Sequence, residues 1–132
     1  MKIGKQLKIA LRGNGVFSSL SGVLLLLGPN QIAGWLGTPG IELALGFVGA
    51  NLVSFAAVLF FVSAREMVPA SLIRAIIALD LAWVAGTALL LALNVLSPAG
   101  VALVSVIALI VLGFAGWQYA GLRQSTAWKA ST

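Results

Sequence analysis

Four apolar stretches, each close to the length that crosses a bilayer, leave this chain few ways to fold. They run over residues 9–27, 41–63, 72–96 and 101–122. A helix needs about 20 such residues to span a hydrocarbon core about 30 Å thick. Water cannot be the solvent for this much apolar surface. Of 132 residues, 61% are hydrophobic and 8% charged, and the mean hydropathy is +1.09. A soluble domain carries about 25% charged residues, and a short chain cannot cover so much apolar surface with itself. The expectation is an all-α membrane protein with four transmembrane helices, forming a single membrane domain over 1–132. The first stretch lacks a small-x-small cleavage pattern near its end, so it reads as a retained helix.

Helix breakers fall between the stretches. Gly28-Pro29 closes the first, because Gly suits a helix C-cap and Pro cannot continue the helix. Thr38-Pro39 and Ser97-Pro98 set an N-cap residue before a Pro at the first helical position of the second and fourth, and Val68-Pro69 with Ser71 does similar work for the third. The piece from Asn30 to Gly37, with Ile32, Trp35 and Leu36, reads as a short helix or turn at the interface, the depth that Trp favours.

The eight basic residues set the expected orientation. Lys2, Lys5, Lys8 and Arg12 precede or open the first stretch, Arg65 and Arg74 flank the second connection, and Arg123 and Lys129 follow the fourth. All eight then lie on one side, which the positive-inside rule makes cytoplasmic. Both termini are expected in the cytoplasm, with the chain in the cytoplasmic (inner) membrane. The segment Lys2 to Arg12 alternates these bases with Ile3, Leu7, Ala10 and Leu11, so it reads either as a topology anchor or as a short interfacial helix. No pattern around the bases points to nucleic acid, despite a net charge of +5.

The two halves, 1–66 and 67–132, resemble each other. A shift of 64 residues lays Ser21-Gly22 over Ala85-Gly86, and one of 59 lays Phe55-Ala56 over Phe114-Ala115. The expected arrangement is two tandem helical hairpins in the same orientation, a 2+2 pseudo-repeat about an axis along the membrane normal. Small residues at helical spacing form ladders: Asn14, Ser18 and Gly22; Gly46, Ala50 and Ser54; Ala78, Ala82 and Gly86. Residues four apart share a helix face, and small side chains there let helices approach closely. Ser18, Gly22, Gly46, Ala50, Ser54, Ala78, Ala82 and Gly86 are therefore the helix-packing candidates.

Chemistry has little to draw on. The chain has no Cys and no His, which removes disulfides, thiol redox chemistry, the usual metal and haem ligands and the commonest general acid or base. No metal or other cofactor is expected, and no nucleophile–base pair is present. Of the three acids, Glu42 opens the second span, where a carboxylate complements the helix N-terminus, and Glu66 sits beside Arg65 in a polar turn. Asp80 differs, because it lies six residues inside Arg74, roughly 9 Å deeper at about 1.5 Å per residue. Intramembrane acids mark a site or a buried partner. Thr87 and Asn94 follow Asp80 at intervals of seven, as one polar stripe. Arg12, Asn14 and Gln118 fall at similar depth, so Asp80, Arg12, Asn14 and Gln118 form a candidate buried polar or ion cluster. Its plainest use is an interhelical pair that fixes the bundle. Asn51 is a further hydrogen-bonding candidate towards a neighbour or subunit.

The opening LRGNGVFSSLSGVLLLLGPNQIAGWLGTPGIEL, from Leu11 to Leu43, resembles the start of small DoxX-like four-helix membrane proteins: a base, a Gly-rich first span, a Pro and a short Leu-Gly turn. Beyond Leu43 the likeness is a hydropathy pattern. The resemblance implies a four-helix bundle, in a family sometimes associated with quinone-linked redox complexes. It carries over no functional residue, and without Cys or His any redox role falls to a partner.

Two functions are open. The first is a non-enzymatic accessory subunit or self-assembling scaffold, with membrane lipids, further copies or a larger membrane complex as partners. The alternative is a minimal oligomeric transporter or channel using Asp80 as a proton or ion site. The small residues serve packing and almost nothing polar lines a path, which favours the first.

Overall fold

The chain is all-helical in a computed structural model, which describes the backbone at residues 1–38 and 40–131 and the side chains at 1–38 and 40–125. Pro39 and the Lys129 side chain lie outside the described residues. Five helices follow in order: α1 (Lys5–Leu27), α2 (Pro29–Leu36), α3 (Glu42–Ser63), α4 (Ala70–Ala92) and α5 (Pro98–Ser131). Four of them, α1, α3, α4 and the Pro98–Ser125 part of α5, are long and apolar enough to cross a membrane. This is a multi-pass helical membrane protein.

Several helix ends depart from the expected punctuation. Gly28 does cap α1, its N–H reaching the Leu24 carbonyl, but Pro29 already opens α2. Thr38 does not cap α3, which starts at Glu42; its hydroxyl donates instead to the Leu36 carbonyl. Ser97 accepts the Gly100 N–H at 3.0 Å and donates to the Trp35 carbonyl at 2.8 Å. That one hydroxyl satisfies an orphan donor of α5 and ties α2 to it. Gly37 ends α2 at φ 73°, a left-handed conformation with little steric cost for Gly. Asn94 leaves the polar stripe altogether. It lies past the end of α4 at φ 57°, a conformation that Asn tolerates better than most residues.

The helices pack unevenly. α1 lies against α3 and α5, and α4 lies against α5. α1 and α3 meet backbone to backbone: a Cβ on Gly22 would lie 2.7 Å from the Gly49 carbonyl oxygen, and one on Gly49 would lie 2.8 Å from that of Gly22. The main apolar core is at the end holding the chain's first residues, and joins Leu7, Leu11, Leu59, Val62, Ile73, Ile76 and Ile77 with Ala115 and Leu122. Residues 1–4 are extended there and stitch that end together. Ile3 N–H donates to the Glu66 carbonyl, Val68 N–H to the Met1 carbonyl, and Gly4 N–H to the Ser125 hydroxyl. Lys5 to Arg12 is the first part of α1, with Leu7, Ala10 and Leu11 buried. Its apolar side faces protein, so it is not a separate helix lying on lipid.

Burial does not follow the 64-residue register. Asn14, Ser18 and Gly22 are buried, whereas Ala78, Ala82 and Gly86 are exposed. Asp80 is buried, while Val16, its counterpart in that register, is 51% exposed.

Candidate functional site

Three side chains from three helices meet at one buried point. On α1 the inward face recurs at Leu7, Leu11, Asn14, Ser18 and Gly22, spaced by three and four residues. On α4 it recurs at Ile73, Ile76, Ile77 and Asp80. Ala115, Gln118 and Leu122 continue it on α5. The polar member of each series falls at the same level, and Asn14, Asp80 and Gln118 are at most 3% exposed.

They close a triangle. Asn14 Nδ2 donates to Asp80 Oδ2 at 2.8 Å and to Gln118 Oε1 at 3.0 Å, and Gln118 Nε2 donates to the same Asp80 Oδ2 at 2.7 Å. A carboxylate only accepts, so it turns the NH2 group of both amides towards itself. Gln118 Oε1 is left to take one Asn14 N–H, and Asn14 Oδ1 takes the Ser18 hydroxyl at 3.3 Å. Every fully enclosed side-chain nitrogen or oxygen among the described residues has a partner, as low-dielectric surroundings require. The Asn14–Asp80 bond also links α1 to α4, two helices whose backbones do not pack directly.

Arg12 is not a member of this cluster. It is exposed on α1, because two residues from Asn14 is about 200° around a helix of 3.6 residues per turn. No base faces Asp80 among the described residues. Ser18, expected only as a packing residue, joins the network; its spacing of four from Asn14 was the signal. The other polar candidates turn back on their own helices. Asn51 donates to the Phe47 carbonyl, Ser54 to that of Ala50 and Thr87 to that of Trp83. Glu42 accepts the Gly40 N–H at 3.3 Å at the start of α3.

Directly beside the triangle is a cavity of about 60 Å³ inside the bundle, reached by all four long helices. Asn14, Ser18, Ser21 and Asp80 supply its polar side, and Phe17, Phe55 and Trp83 are among the residues that close it. Both hydrogen bonds on the Asp80 carboxyl fall on Oδ2, leaving Oδ1 available to accept.

Such a bundle defines a class, a polytopic α-helical membrane protein with one buried polar node. Compared with protein families, curated proteins and solved structures, the chain matches none of them. The DoxX-like resemblance therefore rests on the Leu11 to Leu43 segment alone.

Proposed function

We infer that this chain is a non-enzymatic packing subunit of the cytoplasmic membrane, assembling with further copies of itself or within a larger membrane complex. The reading rests on where its small-residue ladders point. On α1 the ladder is spent inside the molecule, where Gly22 meets Gly49 backbone. The ladders Gly46, Ala50, Ser54 and Ala78, Ala82, Gly86 face outward, and a Cβ on Gly46 or Gly86 would meet nothing within 4 Å. Helical Gly costs about 1 kcal/mol relative to Ala, and small outward residues repay that cost when another helix packs on them. Orientation follows from charge. Residues 1–4, the α3–α4 connection and Ser125 of α5 meet at one end, which gathers the bases there and supports cytoplasmic termini.

Native mass in a mild detergent tests assembly. The chain is expected as an oligomer or with bound subunits, and Ala50→Leu should dissociate it. A monodisperse monomer unchanged by Ala50→Leu would overturn the reading. Reporter fusions after Thr132 and in the α1–α3 connection test orientation, with a periplasmic C-terminus as the contrary result.

A second reading, a minimal oligomeric transporter or channel with Asp80 as its proton or ion site, draws on the lack of a facing base. Flux in liposomes that disappears in Asp80→Asn would favour it over the packing subunit.

A further inference from the structure

The Asp80 carboxyl sits in a membrane-spanning helix, 3% exposed, with two amide donors on one oxygen and no cation opposite among the described residues. Intramembrane carboxylates are ordinarily paired. A structural clamp accounts for Oδ2 and leaves Oδ1 without a role, although Asp80 lines a cavity.

A groove adjoins that cavity on its α3–α4 side. Between α3 and α4, whose backbones do not pack directly, lies a groove of about 360 Å³ lined by Val48, Asn51, Phe55, Leu79 and Trp83. Phe55 and Trp83 line both spaces, so they form the partition between the groove and the acid. Trp83 is 41% exposed.

The two volumes divide the occupant into parts. About 60 Å³ accommodates a few heavy atoms, since one water in the liquid takes about 30 Å³. A complete ligand pocket is usually about 300–1,000 Å³, a size that only the groove reaches. The occupant then has a small polar head and an apolar body. The head must donate, because Asp80 Oδ1 is an acceptor, and no basic side chain lines either space to receive an anion. Positive charge on the head supplies the missing counter-ion, and the rings of Phe17, Phe55 and Trp83 are the side chains that best tolerate a cation in apolar surroundings. A bare metal ion fits poorly, since hard cations need about six oxygen ligands and leave the apolar groove unused.

We propose that the cavity above Asp80 is a binding site for the head of a lipophilic primary ammonium compound, which enters from the lipid between α3 and α4 and donates to Asp80 Oδ1 while its apolar body occupies the groove. This site is independent of the outward ladders, and its occupation does not require self-assembly.

Equilibrium dialysis of the detergent-solubilised full chain at pH 7, corrected for empty micelles, tests it with decylammonium and decanol. The two share a tail and a donor head and differ in charge. Decylammonium should bind saturably, one per chain, and at least tenfold more tightly than decanol. Asp80→Asn should reduce decylammonium binding at least tenfold. Leu52→Trp, which fills the cavity without replacing any residue of the triangle, should abolish binding while circular dichroism and monodispersity stay unchanged. Equal binding of the two compounds would overturn the proposal, as would non-saturable partition matching empty micelles, or undiminished binding in a folded Leu52→Trp. The two-ligand comparison uses the unaltered protein, so it decides the matter even if a variant unfolds.

Discussion

The two ends of this bundle are built differently. At the end that holds residues 1–4, all four long helices contribute to one apolar core, and every buried residue of α4 from Ile73 to Asp80 lies in that half. Towards the opposite end, α1 and α3 stay in backbone contact through Gly22 and Gly49 and the start of α5 is tied to α2 through Ser97 and Gly100, but the rest of that half of α4 and α5 is unburied. From Leu81 to Ala92 no residue of α4 is buried, and from Val101 to Phe114 none of α5 is. The shares confirm the imbalance: 33% of the apolar stretch of α1 is buried, against 11% in α4 and in α5. In lipid an apolar face gains nothing by turning inward, since lipid tails are as apolar as Leu. Close packing and hydrogen bonds remain to hold helices together. The first end has both, whereas the second has them between α1 and α3 or between α2 and α5 and not along α4.

Three substitutions sharpen this contrast. Gly22→Leu attacks the backbone contact between α1 and α3 at the open end. Its Cβ would meet a backbone oxygen at 2.7 Å and the Val53 amide nitrogen at 3.0 Å, neither of which can rotate away. Overpacking costs about 1–3 kcal/mol and occasionally more, and this site belongs at the upper limit, about 3 kcal/mol. Reversible unfolding in mixed micelles measures it, and a loss below about 1 kcal/mol would show that α1 and α3 slide apart freely.

Asn14→Leu removes the node of the polar triangle, with three hydrogen bonds lost at once. Interhelical hydrogen bonds in membranes average about 0.6 kcal/mol each, so the expected loss is about 2 kcal/mol. Adding Asp80→Leu should recover part of it by removing a carboxyl left with its Gln118 bond alone, whereas adding Arg12→Gln should recover none. Rescue by Arg12→Gln would restore an ion pair to the account of this site.

Gly86→Leu is the smallest case and the counterpart of Gly22→Leu in the 64-residue register. Nothing lies within 4 Å of its Cβ, so the isolated chain should change by less than about 0.5 kcal/mol, as surface substitutions do. A large loss of stability would show that a neighbouring molecule covers α4, and it should then appear together with a change in native mass.

Much of the site was legible residue by residue. Asp80, Asn14 and Gln118 stand out because the cost of a lone polar group in lipid predicts that they find one another. Arg12 was misplaced for want of a rotation angle, and Ser18 was read as packing because a small hydroxyl serves either purpose. The ladders of α1 and α4 carry the same spacing in sequence, yet one faces in and the other out.

Length, apolar content and punctuation by Gly and Pro determined the number of spanning helices, since a bilayer imposes both thickness and backbone satisfaction on any sequence that enters it. The tertiary structure alone decided which way each helix turns. A carboxyl at bilayer depth is worth about 2.5–3.5 kcal/mol, more than any single small-residue contact. α4 therefore rotates to bring Asp80 to Asn14 and Gln118, and its small residues go outward as a consequence. Beyond Arg74 only Asp80 and Thr87 mark a polar face on α4, and Thr87 turns back on its own helix; the partners that settle the choice lie 66 and 38 residues away along the chain.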